Sequence, residues 1–539
     1  MNFFTSNYNY DIIIVGGGIS GLFTAYKLSK TNLRILLIES REELGGRIQT
    51  VHKTKFYYEC GAARFHKKHT KLITLINELG LKDKIEPLPK KTNYFLRNKS
   101  SRYYYNTEEE LNLKTLLKEA VDQKNEIKKE ELINISFYQY LMILYDSETV
   151  QYIKDTFGYD SEIMHLNAHA AIKMFKNDLF SIDDYYHLSG GLSQIIQKIE
   201  EELKLKENVF IKRNTSVTDI DNGKVITGNE DKFYYDKLIL TIPSEKLKEI
   251  KYFTGKVSFD SVEPMKLLRI YIQYPVKDLW FKNIKRTITD NYIRQIIPIN
   301  YEEGLIMISY SDNIYAEMWD RYSKISDKYL ITLLHKEIEK IFDIDPPKPE
   351  FLSTHYWENG IHLWKPGYDM DKEYNKIIKP IDNEEIFIGG ESFSKKQGWI
   401  EGSLETCHDI IKSMKIKGYN VEEIKKDIGD LKKKTKKTKK KEETEEKYYS
   451  IDEVETKKNW IILDHDGKKG IYDIEKWIPK HPGGSIIQKG IDANKYYKDN
   501  DEHKESPYQL WKALHSEDIL KKYIIKENEW IKKVGYLKV

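Results

Sequence analysis

The sequence predicts an α/β fold, and two observations near its start carry that prediction. The first is the run Ile12-Ile13-Ile14-Val15, short, β-branched and apolar, as a strand buried on both faces of a parallel sheet should be. It breaks into Gly16-Gly17-Gly18-Ile19-Ser20-Gly21, after which Leu22, Ala25, Tyr26 and Leu28 fall at helical spacing. The second is another buried run, Ile35-Leu36-Leu37-Ile38. It ends on Glu39, close to the offset of about 20 residues at which a dinucleotide-binding unit carries its acidic residue. Strand, glycines, helix, strand and acid in register read as a Rossmann-type unit.

Each piece has a mechanical reason. With Gly16, Gly18 and Gly21 as the motif glycines, the first permits a tight turn and the second lets backbone approach a pyrophosphate. The third allows the helix to pack closely on the strand. The helix N-terminus then offers N–H groups to the phosphate, and Glu39 can accept hydrogen bonds from ribose hydroxyls.

Leu44-Gly45-Gly46-Arg47 follows Glu39 at once. Together the two motifs resemble the flavin amine oxidase superfamily, and later stretches extend the likeness. Leu188-Ser189-Gly190-Gly191-Leu192 opens a helix, and Ser216-Val217-Thr218 is similar to the strand whose backbone meets the adenine. Leu238-Ile239-Leu240-Thr241-Ile242-Pro243 matches the strand ending in Thr-x-Pro. Ile386-Phe387-Ile388-Gly389-Gly390-Glu391 and Gly398-Trp399-Ile400-Glu401-Gly402 match the C-terminal flavin segment. The resemblance covers roughly residues 9 to 415. It implies a Rossmann-type FAD-binding domain interleaved with an α+β substrate domain over 9–420. The FAD-binding pieces would be about 9–90, 188–260 and 375–418, and the substrate pieces about 91–187 and 261–374. The cofactor contacts it implies are Gly16, Gly18, Gly21, Glu39, Gly46, Arg47, Val217 and Glu391.

Composition narrows the setting. The 539 residues carry 88 basic and 85 acidic side chains, a net charge of +3, so no overall field argues for nucleic acid as a partner. Two cysteines, Cys60 and Cys407, exclude a disulfide scaffold and fit a reducing compartment. The first ten residues lack a secretory pattern and no apolar run is long enough to span a membrane. A cytoplasmic protein without a membrane span is therefore expected.

The clearest boundary is the lysine-rich run from Leu431 to Lys441 with acidic Glu442 to Glu446 behind it, inside a charged linker at 421–447. It reads as a solvated spacer reaching on the order of 30 Å; contact with an anionic surface is the alternative. Beyond it, 448–530 carries Trp460-Ile461-Ile462-Leu463, Gly470-Ile471-Tyr472-Asp473-Ile474 and Lys480-His481-Pro482-Gly483-Gly484. That order resembles the cytochrome b5 family and implies a small C-terminal α+β domain holding haem b. Histidine is a common iron ligand, and the resemblance places His481 on one face of the haem. For the second ligand, Leu514-His515-Ser516 is similar to the family's His-Ser, although the interval from His481 is longer than usual. His503 competes by spacing but stands among Asp501, Glu502, Lys504 and Glu505.

On the substrate side, Glu59-Cys60-Gly61-Ala62-Ala63-Arg64 resembles the segment of L-amino-acid oxidases in which an arginine pairs with the substrate carboxylate. A guanidinium fork suits that task; a structural ion pair is the other reading of Arg64. The region around Ile296-Ile297-Pro298 lacks the tyrosine that shares the carboxylate in those enzymes. Trp399 falls where relatives set an aromatic ring beside the flavin. Arg269 takes the place at which most amine oxidases hold a lysine near flavin N5, with Lys266 a few positions earlier. No cysteine lies in Trp357 to Gly367, so the FAD is expected to be non-covalent.

The resemblance thus implies oxidation of a small-molecule amine or amino acid to an imine by hydride transfer to flavin N5. Oxygen, a redox-partner protein or the tethered haem would be the acceptor. Two other readings stay open. One is a desaturase or protoporphyrinogen-oxidase-like enzyme on an apolar substrate, the other an idle electron-transfer or scaffold module.

Overall fold

The computed structural model describes residues 8–89, 92–96, 99–101, 113–123, 127–176, 185–416, 448–449, 460–465, 468–473 and 532–537. Contacts divide the chain into two units, Met1–Val421 and Glu422–Val539.

The first unit is built on two sheets. Strand β1 (Tyr8–Val15) runs into helix α1 (Ile19–Leu28) and on to strand β2 (Ile35–Ile38). The strand is longer than the apolar run because Tyr8, Asn9 and Tyr10 continue the parallel ladder against Phe233, Tyr234 and Tyr235. Around β1, the parallel strands Val209–Lys212, β2, β1, Lys232–Leu240 and Ile386–Ile388 lie side by side, so three distant stretches of chain share one sheet. An antiparallel pair, Lys224–Thr227 and Val217–Asp221, extends one edge. Ile12 and Ile14 pack with Leu22 and Ala25 of α1 on one face, while Ile13 and Val15 join a second cluster on the other. Burial on both faces is what an unbroken apolar run in a parallel strand requires.

The second sheet is largely antiparallel, in the order Phe351–Trp364, Val262–Gln273, Leu305–Asp312, Gln295–Asn300, Arg286–Thr289, Thr92–Leu96 and Lys99–Ser101. The contact between Arg286–Thr289 and Thr92–Leu96 is parallel. Helices Asn313–Ile325 and Asp327–Phe342 cover one face through Trp319, Leu330, Leu334 and Ile338. Alternation decides the strand Val262–Gln273: Leu268 and Ile270 point into that apolar layer, and the intervening Leu267 and Arg269 face the cavity on the other side.

In the second unit, Trp460–His465 pairs antiparallel with Lys468–Asp473, which pairs with Lys532–Leu537, itself parallel to Tyr448–Tyr449. The sheet therefore takes in residues past 530, where the sequence reading ended the domain. The spacer from Leu431 to Glu446 and the histidines His481, His503 and His515 lie outside the described residues. Among the described residues no helix is long and apolar enough to cross a membrane, and no His, Cys, Asp and Glu cluster could hold a metal ion.

Candidate active site

A cavity of about 880 Å³ runs from the β1–α1 turn to the inner face of the second sheet. Gly16, Gly18, Glu39, Gly46, Arg47 and Val217 line its first half; Gly21 stands behind. A Cβ at Gly21 would lie 1.9 Å from the Gly16 carbonyl oxygen, so only glycine lets α1 start this close to the turn. A Cβ at Gly18 would meet nothing nearer than Gly46 Cα, at 3.9 Å. The space in front of Gly18 is open, and α1 has no side-chain cap. Both features fit an anion seated there. Thr241, from the Thr-x-Pro run, donates its hydroxyl toward the Val15 and Gly16 carbonyls and pins the turn.

Glu39 Oε2 accepts from Gly17 N at 2.6 Å and Oε1 from Arg41 N at 2.9 Å. The Ser40 hydroxyl also donates to Oε1, at 3.1 Å; a carboxylate has about four acceptor positions, so one remains for a ribose hydroxyl. Val217, also in the lining, stands at an irregularity in the ladder with Thr227.

A buried charge chain closes the middle of the site. Arg47 Nη1 donates to Glu391 Oε2 at 2.7 Å and to the Gly360 carbonyl at 3.0 Å. The other Glu391 oxygen accepts from the backbone N–H groups of His362 and Gly398. The His362 ring, fully buried, bridges Glu391 through Nδ1 and Glu245 through Nε2, both at 3.0 Å. Burial opposes a charge on His362, but Glu391 and Glu245 outweigh it and raise the imidazole above its ordinary value. Burial likewise opposes the charge on Glu391, where Arg47 and His362 prevail and hold the carboxyl well below the usual range. Glu245 is drawn down to about 2, its hydrogen bond from His362 overcoming burial. Protein donors thus fill the acceptor positions of Glu391. His362 and Glu245 were not singled out from the sequence. A histidine inside the apolar run Ile361-His362-Leu363-Trp364 was the available signal, since a buried imidazole demands partners.

The inner half of the cavity holds Arg64, Arg269 and Trp399 together. Trp399 stacks on Tyr185 with centroids 5.7 Å apart and planes 15° apart. The Arg64 guanidinium lies over both rings, at 5.2 Å and 5.9 Å, and its Nη2 donates to Tyr159 Oη at 3.3 Å. Arg269 donates to the Glu59 carbonyl at 2.9 Å and stacks 4.5 Å above Tyr310. Burial lifts the Glu59 carboxyl to about 7, against the Leu192 N–H, the Thr50 hydroxyl and the Arg269 cation. Glu401 serves the scaffold: its oxygens accept from Lys71 N and Leu72 N at the start of helix Thr70–Glu78.

Lys266 is not brought to the site. Its ammonium pairs with Glu317 at 2.9 Å, on the helix-covered side of its strand. Several cavity residues escaped the sequence reading, Tyr159, Tyr185 and Tyr310 among them. Arg286 enters from the strand Arg286–Thr289, Tyr94 from Thr92–Leu96, and Glu162 from helix Ser161–Met164. Burial, reinforced by Asp312, pushes the Glu162 carboxyl up to about 8.

The chain resembles known proteins. A family model described as flavin containing amine oxidoreductase matches residues 19–408. The chain is 25% identical over 490 residues to an uncharacterized protein of Acanthamoeba polyphaga mimivirus, covering 77% of this chain and 94% of that one. It is 22% identical over 444 residues to a probable polyamine oxidase of Arabidopsis thaliana, covering 74% and 86%. Among solved structures, a putrescine oxidase redesigned in its cofactor binding superposes with a TM-score of 0.62 over 75% of this chain and 99% of its own. At 18% identity that likeness speaks for the fold.

Proposed function

The chain belongs to the flavin containing amine oxidoreductase family, and from that premise we propose that it oxidises an amino acid at the carbon bearing the amine. The observation that carries the reading is Arg64: a guanidinium inside the cavity, lying over the rings of Tyr185 and Trp399 and hydrogen-bonded to a phenol. An inward-facing fork of this kind suits a carboxylate and disfavours the wholly apolar substrate of the desaturase reading.

FAD would be held non-covalently by the glycine turn, by Glu39 at the ribose, by the Val217 backbone at the adenine and by Arg47 along its chain. What it supplies when bound is hydride acceptance from the substrate carbon, the hard part of the chemistry. The protein's own residues do the rest. Arg64 binds the substrate carboxylate and fixes which carbon faces inward. The Trp399–Tyr185 wall excludes water and aligns the amine. Arg269, locked by the Glu59 carbonyl and Tyr310, supplies a fixed cation where relatives carry a lysine, and Lys266 drops out of the proposal. The imine product then hydrolyses.

The C-terminal unit is read as a b5-like domain, reached through the 421–447 linker, with His481 and His515 as haem ligands and His503 as the rival for the second. The His-Pro-Gly-Gly run supports this, as do strands at Trp460–His465 and Lys468–Asp473. Such a haem would take electrons one at a time, alongside oxygen or a partner protein as acceptor. Two cysteines, both free and buried, support a reducing, cytoplasmic setting. Anaerobic mixing with an amino-acid panel tests both parts. Flavin bleaching followed by haem reduction is expected. Bleaching without haem reduction discards the electron route, and no bleaching with any amino acid discards the oxidation itself.

A further inference from the structure

We infer that the cavity is built for an amino acid with a second carboxylate in its side chain, Arg64 taking the α-carboxylate and Arg286 the side-chain carboxylate. The inference rests on the amino-acid reading of the same site.

Arg286 reaches the cavity by strand alternation. Arg286 and Ile288 face it from one strand and Thr92 and Tyr94 from its parallel neighbour, while Thr287 and Thr289 turn away and are buried. Its Nη2 donates to the Gln295 side-chain carbonyl at 2.8 Å. Its Nε is sealed from solvent with no partner. Arg64 bonds to the Tyr159 hydroxyl. Both partners are neutral, and among the described residues neither arginine has an ion pair. Burial pushes the Glu162 carboxyl up to about 8, which weakens it as a countercharge to Arg64. The two cations share one field: burial and then the Arg64 charge depress the Arg286 guanidinium. An uncompensated buried cation is costly, and two of them in one cavity attract a dianionic ligand while repelling a diamine. A carboxylate meets a guanidinium through two parallel hydrogen bonds.

The test uses the purified full-length holoprotein. Glutarate and butyrate are titrated against it without any amine, followed by calorimetry. Glutarate should bind at least about 10-fold tighter, as one charge-assisted pair contributes, and Arg286→Gln should erase that margin while Arg286→Lys keeps part of it. Equal affinity for the two acids in the unmodified protein overturns the inference without recourse to a variant. Anaerobic flavin reduction by L-glutamate, L-leucine and putrescine is measured in parallel. Preference for L-glutamate supports the inference. Reduction by L-leucine as fast as by L-glutamate overturns it and leaves amino-acid oxidation standing, whereas reduction by putrescine alone, or by none of the three, removes the underlying reading as well.

Discussion

Gly18 and Gly21 sit three residues apart in one turn, and the structure gives them opposite duties that alanine can separate. At Gly21 the new methyl carbon would start 1.9 Å from the Gly16 carbonyl oxygen. An ordinary C···O contact is about 3.3 Å or more, so helix and turn must part by roughly 1.4 Å. Because the obstacle is backbone, the cost should reach the upper end of overpacking penalties, about 3 kcal/mol. At Gly18 the nearest protein atom is 3.9 Å away and φ is −72°, a conformation alanine adopts freely. The apoprotein should lose under about 1 kcal/mol there, the difference between glycine and alanine at a helix N-cap. That methyl instead occupies the space a pyrophosphate needs. Forfeiting one charge-assisted hydrogen bond, about 1.5–3 kcal/mol, weakens FAD binding by about 10- to 150-fold. Thermal unfolding of the apoproteins, with FAD titrations followed by flavin fluorescence, reads both effects. The reasoning fails if Gly18→Ala unfolds as early as Gly21→Ala, or if it binds FAD as tightly as the unmodified chain.

Three further outcomes follow from the charges around the site. Arg64→Leu should lower kcat/KM for amino acids by about 100-fold and spare plain amines, measured by initial rates on matched substrates; an equal loss on both would return Arg64 to a scaffold role. Glu162 binds its proton up to about 8, so below that pH it leaves Arg64 to the substrate and above it competes as a carboxylate. KM for an amino acid should rise as pH passes 8 in the unmodified enzyme and stay flat in Glu162→Gln. His362→Leu leaves Glu391 and Glu245 facing an apolar group, and breaking a buried ion cluster costs about 3–5 kcal/mol, visible in calorimetric unfolding. The His362 contribution has a sign: its imidazole is raised, so its stabilisation is complete below its unfolded value near 6.5 and fades as pH climbs through the folded one.

The strand–turn–helix–strand unit at the start was legible because its signal is local. Strand, glycines, helix and acid occupy one short stretch, although Thr241 pins the turn from a distant strand. The inner half depends on which faces meet. Lys266 and Arg269 differ by three positions in a strand, and period-two alternation already sets them on opposite faces. The irregular pairing between Met265 and Leu267 does not bring Lys266 back. Arg286, in Arg286-Thr287-Ile288-Thr289, alternates in the way any half-buried strand does. Only the parallel neighbour Thr92–Leu96, far away in sequence, shows that its charged face lines a cavity. His362 did announce itself within its apolar strand, but its partners Glu245 and Glu391 come from separate stretches of chain, and no spacing rule connects them.

The central claim is that this chain binds a flavin which an amino acid reduces. Purified protein, reconstituted with FAD if needed, should be yellow. Under nitrogen a carboxylate-bearing amino acid should bleach it, releasing one equivalent of ammonia and one of the 2-oxo acid per flavin. Protein that takes up no flavin, or holds flavin that stays yellow across a broad series of amino acids, would contradict it.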